Sequence, residues 1–285
     1  MKKIIKSKPG RSVVGNAGNF TVLIIFGIFM LLPMLFIISN AFKPLDELFM
    51  YPPKLFVRNP TTDNFSSLAT VFSDSLVPFP RYLFNTFFIT LITTAGKVVV
   101  ATMAGYVLEK KKFPGKKFLF KLVITAMLFT SAVTAIPNYL ILSKLGWIDS
   151  YLSIIVPAMG ASFGVFLVKQ FMVNIPNTIL EAARVDGASE HRIFWTMIVP
   201  NVKSAWLTLV IFTVQDMWST TGGTYIYSEE LKTLQTALNQ IVSSGISRTG
   251  VSAAISLIMM IVPITVFVLA QKNVVETMMS SGIKE

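Results

Sequence analysis

Apolar residues along this chain gather into six long runs, near residues 20–42, 82–108, 118–142, 152–173, 198–218 and 251–271. A hydrocarbon layer of roughly 30 Å needs about 20 helical residues to cross it, and each run is close to that length. Backbone polar groups in lipid must bond within their own segment, so the runs predict helices. The fifth is the least uniform, because Lys203 and Asp216 leave only Ala205–Val214 as its apolar run. Between the first two runs, residues 43–81 hold Pro44, Pro52, Pro53, Pro60, Pro78 and Pro80, which predicts irregular backbone rather than one long helix. Residues 219–250 open on the turn-prone stretch Thr220 to Thr224. They then place Leu231, Leu234, Leu238 and Ile241 at helical spacing, which predicts an amphipathic helix outside the spans, packed at the interface or against a partner.

Composition moves the chain further from soluble proteins. Hydrophobic residues make up 53% of it, 23 residues are Phe, and the mean hydropathy is +0.65. The expectation is an all-α polytopic membrane protein with six transmembrane helices. Charge then sets its direction. Of the 25 Lys and Arg, seventeen fall in the tails and loops that share a side with the N-terminus, including Lys2–Arg11 and Lys110–Lys121; seven fall on the opposite side and Lys97 lies within a span. The positive-inside bias places both termini in the cytosol. Basic residues at span ends meet anionic lipid headgroups, so the net charge of +11 needs no nucleic-acid partner. The basic start resembles a secretory leader, but the apolar run from Phe20 to Ser39 is longer than a leader's and no small-residue cleavage site follows, so it reads as an uncleaved span. The chain thus divides into a cytosolic tail (1–19), a six-span domain (20–271) and a second cytosolic tail (272–285).

Reactive chemistry is sparse. The absence of cysteine removes disulfides and thiolates, and the single histidine, His191, builds neither a zinc site nor a triad. Serine and lysine could form a dyad, but the one GxSxG string, Gly160-Ala161-Ser162-Phe163-Gly164, lies inside an apolar run rather than at the strand-to-helix turn that a nucleophile elbow needs. No GxxxxGK[ST] phosphate loop occurs, so ATP is not bound here in the P-loop manner and energy must come from elsewhere. Polar residues inside spans are costly in lipid and usually face a bundle interior or an aqueous cavity. Asp216 with Gln215 and Trp218 is the leading cluster, since a carboxylate and an amide suit sugar hydroxyls and an indole face suits the apolar side of a sugar ring. The plain alternative puts Asp216 at the membrane interface. Asn138 beside Pro137 either joins such a pathway or satisfies carbonyls freed by the proline. Lys97 either pairs with a partner's acid, snorkels into a cavity or contacts solute.

The most specific stretch is EAARVDGASEHRIFWTMIVP, residues 181–200. It is charged, interrupted by Gly187, and lies between apolar runs. Glu181 to Asp186 suits a short helix, Gly187 a left-handed C-cap, and Ser189 the N-cap of a second helix over Ser189 to Ile198. Glu181 can reach a partner's basic residue or pair with Arg184 at i,i+3. The stretch resembles the EAA motif of permease subunits of ATP-binding-cassette importers, matching at Glu181, Ala182, Ala183, Asp186, Gly187, Ala188, Ile193, Phe194, Ile198 and Pro200, with Val199 where Leu is usual. Tyr106 followed by Phe113-Pro114-Gly115-Lys116, Ile136-Pro137-Asn138-Tyr139, Leu145-Gly146, Gln170-Phe171-Met172 and Ile175-Pro176 follow the order of carbohydrate-uptake permeases. Over residues 80–280 the chain is similar to the smaller permease of maltose-type importers.

That resemblance implies a coupling loop near 174–200 whose helices seat in a cleft of an ATPase. It implies a heterodimer with a second permease, two ATPase subunits carrying ATP and magnesium, an extracytoplasmic binding protein that delivers a sugar, and a location in the plasma membrane of a prokaryote. No cofactor is expected on this chain. Two other readings stay open on the residues alone: a membrane receptor or scaffold that docks an ATPase without transporting, and a permease for a non-sugar solute. A secondary transporter is disfavoured, because carboxylates inside the spans are too few for ion coupling.

Overall fold

The computed structural model describes residues 13–73, 77–160 and 162–281, and every regular element among them is helical. The basic run Lys2–Arg11 and the tail residues Gly282–Lys284 lie outside the described residues. In chain order the helices are α1 (Val13–Ala41), α2 (Leu45–Leu48), α3 (Asp63–Ser73), α4 (Phe79–Lys110), α5 (Lys116–Ala126), α6 (Ser131–Lys144), α7 (Leu152–Met159) and α8 (Ser162–Met172). They continue with α9 (Asn177–Val185), α10 (Glu190–Ile193), a π-helical turn (Phe194–Ile198), α11 (Val199–Asn201), α12 (Lys203–Trp218), α13 (Leu234–Ser243) and α14 (Thr249–Ser281).

Four stretches are long and apolar enough to cross a membrane as they stand: Ala17–Ala41, Phe79–Lys110, Leu152–Met172 and Thr249–Lys272. The other two expected spans are bent. Lys116–Ala126 and Ser131–Lys144 meet at 111°, and Glu190–Asn201 and Lys203–Trp218 at 74°. Among the described residues the count is therefore four, or six if each bent pair is one span. Hydropathy registers length and not direction, and the turn at 127–130 carries no Pro or Gly to announce it. The proline-rich segment also holds more helix than expected: α3 fits between Pro60 and Pro78.

The helices divide into two units. The first takes the described residues up to Ser67 together with Ser244–Leu257. Here Asn64 is buried and its amide donates to the Ala41 and Lys43 carbonyls at 3.0 and 2.8 Å. Lys43 is buried in turn, donating to Asn40 Oδ1 at 2.9 Å and to the Lys54 carbonyl. The Glu47 carboxylate accepts the Arg58 and Asn59 amides at 3.0 and 2.8 Å. Side chains thus take over the bonding that prolines deny the backbone.

The second unit, Leu68–Ser243 with the residues from Ile258, is built around α4. α4 packs on α7, α8 and α12, and its buried residues include Ile89, Thr93, Lys97, Ala101 and Tyr106. Small residues permit this. A Cβ at Gly105 would lie 3.2 Å from the Lys169 backbone nitrogen, and one at Gly164 would lie 3.2 Å from Ala101 Cβ. Close backbone approach replaces hydrophobic driving force where the solvent is itself apolar. At its N-terminal end, α4 is stitched to the 229–234 loop. Asn85 donates to the Glu230 and Lys232 carbonyls (2.7 and 2.8 Å), Tyr82 donates to Glu229 Oε1 (2.7 Å), and Thr86 Oγ1 accepts the Leu234 amide (2.8 Å). The amphipathic helix expected from Leu231 begins at Leu234 instead, because that stitch holds 229–231 in a 3₁₀ turn; Leu234, Ala237 and Ile241 form its buried face.

Asp149 adds a second fastening in this unit. It sits at φ +59°, and its carboxylate accepts the Tyr227 and Ser228 amides at 2.9 and 2.8 Å and the Ser228 hydroxyl. The Ser228 bonds hold its carboxyl below the usual carboxylate range.

Gly105 and Gly96 separate rigid from yielding contacts. The neighbour at Gly105 is backbone, whereas a Cβ at Gly96 would meet the flexible thioether of Met159. Gly105→Val should lower stability in detergent by about 1–3 kcal/mol, as overpacking does. Gly96→Ala should cost less, because Met159 can swing away. Thermal unfolding followed by tryptophan fluorescence ranks the two; equal losses would contradict this packing.

Candidate functional site

Two features of the second unit hold the residues singled out from sequence. The first is the loop between α8 and α12. α9 carries the EAA sequence and begins at Asn177, four residues before Glu181, with Pro176 supplying the extended entry. It ends at Val185 with Asp186 as its C-cap, and Gly187 follows at φ +79° with nothing within 4 Å of where a Cβ would stand. The position therefore demands glycine for its backbone and not for its space. Ala188 donates back to the Ala183 carbonyl at 2.9 Å, and the Ser189 hydroxyl accepts the Arg192 amide at 3.3 Å, capping α10. Leu180, Ile193, Phe194 and Ile198 are buried in one cluster with Tyr106, Val168 and Leu209. Glu181, Ala182, Asp186, Gly187 and Pro200 are exposed, and Ala183 and Ala188 half-buried.

Glu190 fixes this loop to α4, and sequence reading did not single it out. Its carboxylate accepts Tyr106 Oη at 2.7 Å and pairs with Lys111 Nζ at 2.5 Å and Arg184 Nε at 2.9 Å. Lys111 Nζ also lies 5.6 Å from the Tyr106 ring centre. The Arg184 guanidinium therefore joins Glu190, so of the two readings of Glu181 the internal i,i+3 pair with Arg184 is not formed, and Glu181 has no ion pair among the described residues. The Lys111 ammonium first, then the Tyr106 hydroxyl and Arg184, hold the Glu190 carboxyl down at about 2. Next to this clamp, Lys110 Nζ donates to the Ile175 carbonyl at 2.6 Å and Lys169 pairs with Glu109 at 2.9 Å. His191 accepts Trp195 Nε1 at 3.0 Å on the exposed side of the loop.

The second feature is a cavity of about 540 Å³ lined by Lys97 from α4, Phe163 from α8, Leu209, Phe212, Gln215 and Asp216 from α12, and Ser219. The Phe163 and Phe212 rings meet edge to face at 5.8 Å and form an apolar wall. Three of the five expected pathway residues, Lys97, Gln215 and Asp216, thus share one wall. The other two lie elsewhere. Trp218 is 2% exposed, and its indole N–H donates to the Met259 carbonyl at 3.0 Å, so it packs in the interior instead of lining the cavity. Asp216 and Trp218, two positions apart, lie roughly 160° apart round the helix and so do not share a face. Asn138 is exposed on α6, away from this wall. Phe163 and Phe212 escaped notice because, in a chain with 23 Phe, aromatic residues inside a span carry no signal of their own.

Spanning helices packed round one rod, a cavity with a lysine at mid-helix and an exposed loop braced on the rod make the layout of a membrane transport component. Residues 97–280 match the model of the binding-protein-dependent transport system inner membrane component, and the chain belongs to that family. Its members are the permease subunits of ABC transporters and are not themselves enzymes. The polygalacturonan/rhamnogalacturonan transport system permease protein YtcP of Bacillus subtilis (strain 168) is 30% identical over 227 residues, 78% of this chain and 77% of its own. The sn-glycerol-3-phosphate transport system permease protein UgpE of Yersinia enterocolitica is 29% identical over 201 residues, 70% of this chain and 71% of its own. A solved bacterial ABC transporter involved in the import of the acidic polysaccharide alginate shares the fold, with a TM-score of 0.79 at 22% identity over 93% of this chain and 99% of that one.

The Glu190 clamp makes a signed prediction. Its carboxyl is ionised well below its usual value in the folded protein, so its contribution to stability is present above about pH 4.5 and is lost as pH falls toward 2. The groups are partly exposed, so Glu190→Gln should cost only roughly 1 kcal/mol. That cost should be the same at pH 6 and pH 8 and shrink below pH 4.5, as read by protease cleavage of the 186–189 turn.

Proposed function

We propose that this chain is one of two permease subunits in an ATP-driven importer of carbohydrate, working with a second, homologous permease, two ATPase subunits that bind ATP and magnesium, and an extracytoplasmic binding protein. Its cavity supplies part of the solute path and the 174–200 loop docks an ATPase. The names of the relatives support a carbohydrate or a close derivative as cargo. The positive-inside bias supports cytosolic termini and a cytosolic 174–200 loop.

The observation that carries the reading is the loop. Its apolar residues are sunk in the helix core and Glu190 braces it on α4, while Glu181 and Ala182 remain exposed. A surface held that firmly from behind can pass a push from a partner into the spans as a rigid movement. The exposed Glu181 suits a basic group in the partner's cleft, and the small side chains of Ala182 and Ala183 allow close approach. A receptor or scaffold would need the same docking loop but no cavity in its spans.

Glu181→Ala and Gly187→Val should both insert normally. Forcing Val into the left-handed conformation costs about 1–2 kcal/mol and turns the loop. Each variant should cut solute-stimulated ATP hydrolysis by at least about fivefold, with less ATPase retained on co-purification. Wild-type values for both would defeat the docking assignment. Orientation has its own test. Because the chain has no cysteine, Thr62→Cys should react with a membrane-impermeant thiol reagent in intact cells while Lys117→Cys stays silent until the membrane is broken.

A further inference from the structure

We infer that the cavity receives a negatively charged group on the transported sugar, a carboxylate or a phosphate, and that Lys97 is the residue that meets it. This rests on the reading of the cavity as part of the solute path.

Lys97 stands near the middle of α4 and is 7% exposed, so its ammonium is taken out of bulk water. Among the described residues no carboxylate lies within ion-pair distance of it and no oxygen accepts its protons. A charge in that position costs roughly 2.5–3.5 kcal/mol at the centre of a spanning helix unless a counter-charge or water offsets it. Asp216 shares the cavity, yet the two do not close on each other. The asymmetry between them decides the sign. Asp216 and Gln215 are exposed and can be hydrated, whereas the cation is the desolvated member and therefore the one in need of a partner.

The neighbourhood adds unfilled hydrogen-bonding capacity. Thr90, Thr93 and Thr94 lie within two turns of Lys97 on α4, and Thr213 lies within one turn of Asp216 on α12; among the described residues all four hydroxyls are buried without a partner, and none of the four lines the cavity. Buried polar atoms are rarely left so, which marks the helices behind the cavity as under-bonded. The volume, about 540 Å³, lies in the usual range for small-molecule sites. An acidic sugar matches each wall. Its anionic group meets Lys97, its hydroxyls donate to Asp216 and accept from Gln215, and its C–H face lies on Phe163 and Phe212.

An introduced thiol reads the local charge, since the chain has no cysteine. Ser219→Cys places one reporter in the cavity wall, and the intact membrane-embedded complex is treated with an anionic and a cationic methanethiosulfonate of similar size. The anionic reagent should react faster. Lys97→Met should lower the anionic-to-cationic rate ratio by about tenfold, Lys97→Arg should keep it, and Asp216→Asn should raise it. Protection of the thiol is then measured with trigalacturonate, glycerol phosphate and maltotriose. An acidic probe should protect at a concentration about tenfold lower than maltotriose does, with the preference lost in Lys97→Met; which acidic probe succeeds separates carboxylate from phosphate. Equal protection by maltotriose, or a rate ratio unmoved by Lys97→Met, overturns the inference and leaves sugar import standing. Wild-type ratio and protection in the Lys97→Met/Asp216→Asn double variant would also overturn it, by making the pair a latch between helices. A thiol that no reagent reaches would remove the cavity from the solute path, and the functional reading of it would fall as well.

Discussion

Helices in lipid gain little from hiding apolar side chains, because the surroundings are as apolar as they are. What holds the second unit together is the closeness its small residues allow, and the contact of α4 with α8 at Gly105 and Gly164 sets that distance. Everything functional in this unit is referred to α4. Lys97 reaches the cavity from it, Tyr106 and Lys111 at its C-terminal end hold Glu190, and Tyr82, Asn85 and Thr86 at its N-terminal end hold the 229–234 loop. At about 1.5 Å per residue, its 32 residues run roughly 48 Å, well beyond a hydrocarbon layer of about 30 Å. Both sets of fastenings therefore fall near the polar boundaries, where hydrogen bonds compete with water, and the cavity falls between them.

The two features differ in how they treat charge. At the loop, Glu190 has three partners and its charge is fully compensated at a half-exposed site, which suits a joint that must keep its shape. In the cavity, Lys97 has none within bonding distance. The protein keeps a desolvated cation, on which Asp216 acts only from beyond bonding distance, in a cavity where a small molecule could supply a closer partner, an arrangement that recurs at binding sites and is seldom seen in structural cores.

The legible parts of this chain were those whose signal is local. Gly187 and Ser189 announce a turn and a cap because backbone conformation and a hydroxyl three residues from an amide depend only on neighbours. The two straight spans at either end follow from length and hydropathy in the same way. What could not be read depends on meetings across the sequence. Glu190 looks like an ordinary first-turn acid until Tyr106, 84 residues earlier, is brought to 2.7 Å. Its capture of Arg184 then undoes the local pair that spacing suggested. Trp218 was grouped with Asp216 by proximity in sequence, and two positions on a helix carried it to the interior. The bend at 127–130 lies in residues as apolar as their neighbours, so hydropathy passed straight through it.

Nine residues separate Lys97 from Tyr106, two and a half turns at 3.6 residues per turn, so the two side chains leave α4 on opposite sides of its axis and about 13.5 Å apart along it. The helix is thus shaped like a crank. If it rolls as a rigid body, whatever sense carries the ammonium toward the cavity carries the phenol the opposite way at the clamp. A small roll at one level becomes a sideways displacement of opposite sign at the other, with no bending of the rod and no chain of intermediate contacts needed to relay it.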